Sequence, residues 1–450
     1  MDGFEHTSAF TVATAEVVRA VFTHLQSSTP PALSTFTDPT AWRRQGQDYL
    51  VAERRTRWDK PVEFSELGFL DGFAPMAVLR AVVAKDAVLS VRTDTMVGAE
   101  FSPYPYDLGP LVVEQVLAPL VETTGSYRFD PPQVASLCAR LEARLRLPGI
   151  RFAEFLPVLG FASSLDALML DRGALMLRPM SDEELSEAVG LQAVSVDRFN
   201  GRNAAIVSHH NHWALVGERE YPVVSYKQGM PEQPRADVFP SFVYQAQRLI
   251  VALRVACGGT ATTTRPIRVQ HPDDTLVKFS AAAVLYPLGQ VDPARPTVLH
   301  ADQFEAVSAI YDALALPAVC ADRPLQHALR RLVFAGSRPD PTDRVLDLAM
   351  CAEALLLKRA GINGPGKGGP IAEQAEALLS GDGELGAAPG TIRSFVASAY
   401  RVRNAEMHGD GAENVPMIRL DGTVADKLEL VADDFELVMR RALQLSLPRA

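Results

Sequence analysis

Apolar positions recur at helical spacing through the last third of the chain. The periodicity predicts helices over Leu325–Ala335, Asp343–Arg359, Ile371–Leu379, Ile392–His408 and Thr423–Leu447. Leu346, Ala349, Met350 and Leu357 form one stripe of the second helix. Val424, Leu428, Val431, Phe435, Val438 and Leu445 do so in the fifth. Gly361–Gly369 is a flexible break, and Gly409 stops the fourth helix. Helices this close in sequence predict an all-α, five-helix bundle. The upstream pattern is mixed. Thr11–Leu25, Val112–Val121, Gln133–Leu147 (after Pro131-Pro132) and Phe239–Ala256 (before Gly258-Gly259) read as helices. Ser27–Pro39 reads as a Pro/Ser/Thr-rich loop. Alternation predicts strands in Val88–Phe101, a strand-turn-strand over Pro157–Arg178, and strands at Ala204–Val207, Trp213–Val216 and Val223–Tyr226. Thr260–Pro296 reads as a small sheet. Ser181-Asp182-Glu183-Glu184 has the form of a capping box. The fold class is therefore α+β: a mixed α/β region over 1–315, as one domain or two, then a helical bundle over 316–450.

Composition narrows the function. With 47% hydrophobic and 22% charged residues in 450, the chain can bury real cores. A net charge of −10 disfavours broad coating of nucleic acid but leaves room for one local basic site. Cys138, Cys257, Cys320 and Cys351 stand far apart with no C-x-x-C pair, which suits a reducing compartment and argues against a zinc ribbon. The first residues lack a basic and then apolar leader, and Arg80, Lys85 and Asp86 interrupt the most apolar stretch, Ala74–Val91. A cytoplasmic protein without a membrane span is expected.

The most informative segment is Ala399-Tyr400-Arg401-Val402-Arg403-Asn404-Ala405-Glu406-Met407-His408-Gly409. Arg401, Asn404 and His408 share one helix face, while Arg403 lies roughly 140° around the axis, within reach of a long side chain. A histidine at a helix C-terminus faces partial negative charge, which favours its protonated form. A nearby arginine can hold a phosphate whose charge grows during transfer. Together these residue types suit attack of a ribose 2′-hydroxyl on the adjacent phosphate, with no metal or cofactor required. Glu353 interrupts the apolar stripe of the second helix. A carboxylate there needs a partner, and a cation among Arg401, Arg403 and His408 on a facing helix is the expected one.

The run Asp343-Arg344-Val345-Leu346-Asp347-Leu348-Ala349-Met350-Cys351-Ala352-Glu353-Ala354-Leu355-Leu356, followed by Arg403-Asn404-x-x-x-His408-Gly409, resembles the ApeA-like branch of the HEPN superfamily. Pro157-Val158-Leu159-Gly160, Leu177 to Glu184, and Leu249 to Val255 resemble that family's N-terminal companion domain over short stretches. The resemblance implies that 1–315 senses or restrains while 316–450 is a HEPN bundle. It implies a homodimer that brings two Arg-x(4–6)-His motifs to one RNA site. It also implies a metal-independent endoribonuclease, often acting in prokaryotic antiviral defence by abortive infection, released by a phage-derived or cellular trigger. Arg403 and His408 are then catalytic, Asn404 is the polar residue after the arginine, and Glu353 is the helix-two acid. Arg401 also satisfies the spacing and is assigned to RNA binding; Arg403 is preferred as the catalytic arginine because Asn404 follows it. Some members of the superfamily bind RNA or nucleotides without cutting, so a dimerising or binding scaffold is the alternative.

Other motifs read more plainly. Gly361-Ile362-Asn363-Gly364-Pro365-Gly366-Lys367-Gly368 mimics a phosphate-binding loop, but Gly368 replaces the required Ser or Thr and a helix precedes it, so an interhelix linker is expected. On a strand, His210 and His212 would share a side and could share a metal, with His209 beside them; no sequence-adjacent carboxylate or cysteine completes the set, and a loop or strand edge is preferred. No G-x-S-x-G elbow occurs. Paired arginines at 43–44, 54–55, 330–331 and 440–441 offer local phosphate affinity or, more plainly, solvated helix faces.

Overall fold

The computed structural model describes residues 7–27, 35–44, 49–58, 70, 72–92, 95–97, 108–147, 149–182, 184–185, 188, 197–198, 204–225, 239–264, 267–270, 291–364, 366–388 and 390–448. It is an α+β chain. Six helical segments, with three strands interspersed, lie within the first 145 residues: α1 (Ala9–Ser27), α2 (Ala74–Lys85), α3 (Ala87–Arg92), α4 (Leu108–Val112), α5 (Ala118–Thr124) and α6 (Pro131–Leu145), with a π turn at Val113–Leu117 joining α4 to α5. They enclose a core of their own, in which Val17, Val21, Leu79, Val116, Val134 and Leu141 are buried. Asp130 caps α6 by accepting from the Gln133 amide at 3.4 Å, with prolines in the first turn where no amide hydrogen is needed. The strand expected over Val88–Phe101 is met only in part: a short strand forms at Thr95–Val97, while α3 takes the residues up to Arg92. Asp86 accepts from the Val88 and Leu89 amides at 2.9 and 3.0 Å, so a cap overrides the rough alternation.

Thirteen strands follow the chain among the described residues: β1 (Thr35–Arg44), β2 (Tyr49–Trp58), β3 (Thr95–Val97), β4 (Gly149–Leu159), β5 (Phe161–Ser163), β6 (Leu168–Leu170), β7 (Leu175–Pro179), β8 (Asp197–Arg198), β9 (Ala204–Ile206), β10 (Trp213–Ser225), β11 (Thr262–Thr263), β12 (Ile267–Gln270) and β13 (Thr297–Leu299). The main antiparallel sheet runs β11-β4-β10-β7-β6, with β12 also on β4 and β3 also on β10. A second antiparallel sheet runs β1-β2-β9-β8, and β13 lies parallel to β5. Part of the predicted Ser27–Pro39 loop is thus the start of β1. The two strands expected between Trp213 and Tyr226 are one: the ladder to β4 continues from Trp213↔Val158 to Pro222↔Gly149, so pairing carries the backbone through polar Glu218-Arg219-Glu220. The capping box is present, with Glu184 N–H donating to Ser181 Oγ at 3.2 Å and Ser181 N–H to Glu184 Oε2 at 2.8 Å.

Strand period two sorts side chains onto opposite faces of the main sheet. Phe155, Ala214 and Val216 join one buried cluster, while Leu156, Val158 and Leu215 join another. The latter is the large core. It takes in α7 (Phe239–Cys257), α8 (Phe304–Ala313), α9 (Pro317–Ala321), α10 (Arg323–Gly336), α11 (Pro341–Ala352), α12 (Gly368–Leu379), α13 (Thr391–His408) and α14 (Leu428–Ser446), and so crosses position 315 without a break. Arg254 of α7 is 2% exposed and fastens this junction: it donates to the carbonyls of Ala261, Thr260 and Val333 and to Ser337 Oγ. Arg344 of α11 does the same work within the bundle, reaching Asp433 at 2.6 Å and Glu436 at 3.0 Å on α14. Buried charges that are paired in this way cost far less than orphaned ones.

The five expected bundle helices are α10 to α14, with one correction. The last begins at Leu428, not Thr423. Asp421 accepts from the Thr423 amide and hydroxyl, Gly422 turns at φ +85°, and Ile418 bridges Val424, leaving Val424 81% exposed. Among the described residues no helix is long and apolar enough to cross a membrane.

Candidate functional site

Past Ala352 the second bundle helix widens into a π turn, Glu353–Lys358, in which the Arg359 amide reaches back to the Ala354 carbonyl at 3.2 Å. Such a turn rotates the side chains that follow it and is common at functional sites. Glu353, at its first position, faces α13. Its Oε1 accepts from the Tyr400 hydroxyl at 2.7 Å and from Arg403 Nη2 at 3.4 Å; its Oε2 accepts from Lys367 Nζ at 2.5 Å. The cation expected to pair with Glu353 is thus Arg403 together with Lys367, and neither Arg401 nor His408. Burial pushes the Glu353 carboxyl upward, but the hydrogen bonds from Lys367 and Tyr400 and the charges of Lys367 and Arg403 outweigh it, leaving it below its ordinary value. Tyr400 moves the opposite way: burial and its bond to the Glu353 carboxylate hold the phenol well above the ordinary tyrosine range.

Arg403 is fixed from three sides. Its guanidinium carbon lies 5.3 Å from the Tyr400 ring centroid, Nη1 donates to Asn404 Oδ1 at 3.0 Å, and Nη2 points to Glu353. With its side chain 22% exposed it remains open to a ligand. His408 is the last residue of α13. The helix ends there in a left-handed cap: Gly409 has φ +80° and the Asp410 amide returns to the Ala405 carbonyl at 2.8 Å. His408 and Arg401 are exposed and make no ion pair or side-chain hydrogen bond with a described residue. The fold therefore gathers Glu353, Tyr400, Arg403, Asn404 and Lys367 into one cluster and leaves Arg401 and His408 in solvent on the same helix.

Two members of this cluster were not singled out from the sequence. Tyr400 precedes Arg403 by three positions and shares its helix face, a signal that spacing alone carries. Lys367 belongs to the glycine-rich segment, read only as a linker. The segment is indeed a connection ahead of α12, but it delivers Lys367 to Glu353.

The histidine cluster takes a different form from the strand considered for it. His209–Asn211 is a 3-10 turn whose first amide cap is Ser208 Oγ, and His212 is buried with Nε2 3.1 Å from the Val207 carbonyl oxygen. Asn211 Oδ1 accepts from the Gly160 amide at 3.0 Å, so the turn is tied to the sheet. Among the described residues no group of three or more His, Cys, Asp or Glu side chains is placed to hold a metal ion. Of the paired arginines, Arg440 is turned inward onto the Val255 and Ala256 carbonyls and Arg441 pairs with Asp382, so neither is a solvated face. No family model, curated protein or solved structure matches the chain.

Proposed function

We propose that the chain is a metal-independent endoribonuclease of HEPN type, acting as a homodimer in which two α13 ends share one RNA site. The observation that carries the reading is the contrast along α13. Arg403 is immobilised by Glu353, Tyr400 and Asn404, and the exposed His408 stands five residues on at the helix end. A prepositioned cation stabilises phosphate charge without reorganising, and an accessible imidazole exchanges protons.

In the reaction, one His408 removes the proton of a 2′-hydroxyl. The 2′-oxygen bonds to phosphorus, the bond from phosphorus to the 5′-oxygen breaks, and the partner's His408 protonates that oxygen. The products are a 2′,3′-cyclic phosphate and a 5′-hydroxyl. Arg403 holds the non-bridging oxygens, Asn404 and Glu353 keep the guanidinium aimed, and Arg401 contacts the flanking strand. The setting carried over from the resemblance is a cytoplasmic antiviral effector that arrests the infected cell when a phage-derived or cellular trigger relieves the 1–315 region.

Incubation of the protein with a mixed RNA pool tests this. Products ending in 2′,3′-cyclic phosphate, undiminished by EDTA and absent with His408→Ala, are expected; wild-type cleavage by that variant removes His408 from the mechanism. One observation favours a second reading, a non-catalytic RNA- or nucleotide-binding scaffold: Arg403 already has a carboxylate partner and could serve only to fix helix register. RNA binding without any cleavage product would support that scaffold.

A further inference from the structure

Beside Glu353 lies a cavity of about 90 Å³, whose lining includes polar Glu353, Lys358, Asn363 and Lys367 and apolar Leu357 and Ile362. It shares Glu353 with the Arg403 cluster, so a group seated in it sits next to that cluster. One carboxylate faces three cations here: Lys358, Lys367 and Arg403. Lys367 and Arg403 are paired with Glu353; Lys358 is exposed and has no ion pair with a described residue.

The positive surface continues onto α10. Asp347 neutralises Arg331 at 2.8 Å, and Asp322 neutralises Arg359 at 2.9 Å. Arg330 is exposed and, among the described residues, unpaired. Helix α10 packs against the π turn that carries Lys358. On it His327 stands three residues before Arg330, and burial and then the charges of Arg331, Lys358 and Arg330 hold its imidazole below the ordinary value. Uncompensated cations beside a cavity favour an anion with a compact, repeating charge, as in a nucleic-acid backbone.

Resting on the nuclease reading above, we propose that this cavity and the edge from Lys358 to Arg330 form a second RNA subsite, which binds backbone phosphates next to the one that is cleaved. Lys358 and Lys367 take one phosphate, the apolar lining receives the face of the attached base, and Arg330 takes the phosphate beyond. The site would add affinity and strand direction without taking part in bond breaking.

A 2′-O-methyl RNA oligonucleotide, which lacks the attacking hydroxyl, allows binding to be read by fluorescence anisotropy on the full chain. Lys358→Glu and Arg330→Glu should each weaken binding by roughly fivefold or more. Each should also reduce the slope of log affinity against log salt by about 0.7, the loss of one single-strand phosphate contact. Lys358→Arg should bind like the parent. Both positions are exposed, so melting temperatures should not move, which separates lost contact from lost fold. Reversal variants that bind within twofold of the parent with an unchanged salt slope, while the parent still cleaves ordinary RNA, overturn the subsite and leave the nuclease standing. A parent that neither binds the oligonucleotide nor cleaves RNA overturns the nuclease reading and this site with it.

Discussion

The Tyr400 hydroxyl donates a 2.7 Å hydrogen bond to the same Glu353 oxygen that Arg403 approaches at 3.4 Å. The phenol therefore does two things: it shares the carboxylate with the guanidinium and places its ring face against it. Tyr400→Phe keeps the ring and removes the bond. A loss of about 1.5–3 kcal/mol in unfolding free energy is expected, the usual size for a hydrogen bond to a charged group. RNA cleavage should fall as Arg403 loses its fixed position. Denaturant unfolding followed by a cleavage time course measures both, and full activity at reduced stability would reduce Tyr400 to packing.

Glu353 gives a pH signature with a defined sign. Its folded carboxyl lies below the ordinary value of 4.5, so the folded chain binds the proton less readily than the unfolded one. The stability it contributes is complete above that ordinary value and fades as pH falls through the lowered folded one. Glu353→Gln should therefore cost stability at neutral pH and flatten the acid limb of a melting-temperature profile. Parallel profiles for parent and variant below pH 4.5 would show that the carboxylate has no such role.

The two arginines of α13 should separate. Arg403, held by three groups, is expected to lower cleavage by about 100-fold or more when changed to Ala, as loss of a prepositioned charge-stabilising donor does. Arg401→Ala, at an exposed and unheld position among the described residues, should weaken RNA affinity by a few-fold and leave the turnover of bound RNA nearly intact. Single-turnover kinetics at saturating RNA distinguish the two, and the opposite ranking would transfer the catalytic assignment to Arg401.

These residues also show what a sequence displays and what it withholds. The helices around the site follow from local periodicity, and Arg403, Asn404 and His408 lie within one helix, so their spacing could be read directly. Glu353 stood out because a carboxylate interrupted an apolar stripe. Lys367 could not be placed, because its approach depends on a path set by left-handed glycines at 361 and 366 and by Gly364 at φ +147°, not on any period. The sheets were legible only in part: β6, β7, β9 and the two ends of β10 were read as strands, while β1, β2 and most of β4 were not. Their order was not legible either: β4 meets β10 only after more than fifty intervening residues, and that choice is made by long-range packing. Where local chemistry competed with pattern, at Asp86 and Asp421, side-chain capping decided the element.

The junction between α7 and β13 rests on a backbone approach that only glycine permits. Gly259 has φ +78°, and a Cβ there would lie 2.7 Å from both Cα and N of Thr297, main-chain atoms that cannot swing away. Gly364, at φ +147°, has open space where its Cβ would be. Both positions disfavour an L side chain, at about 1–3 kcal/mol for a strained residue, but only Gly259 adds a collision. Gly259→Ala should therefore lower the melting temperature distinctly more than Gly364→Ala. Thr297 Oγ1, which donates to the Gly258 carbonyl at 2.7 Å and accepts from the Ala261 amide at 3.0 Å, would be displaced along with its strand. Equal losses from the two substitutions would mean that the contact with Thr297 yields at no cost.

Thiol chemistry offers an independent check on the packing around the second bundle helix. Cys351, two residues before Glu353 on the second bundle helix, is fully buried, and burial drives its thiol far above the ordinary range; burial also pushes Cys138 up to about 12 and Cys257 to about 11. The thiolate is the reactive form, so these three should resist alkylation in the native state. Cys320, exposed at the end of α9, should react first. Brief iodoacetamide treatment followed by peptide mass spectrometry should find the label on Cys320 and, only after denaturation, on Cys351. Early labelling of Cys351 would mean that α11 opens readily in solution, and a helix that opens could not hold Glu353 steady enough to aim Arg403.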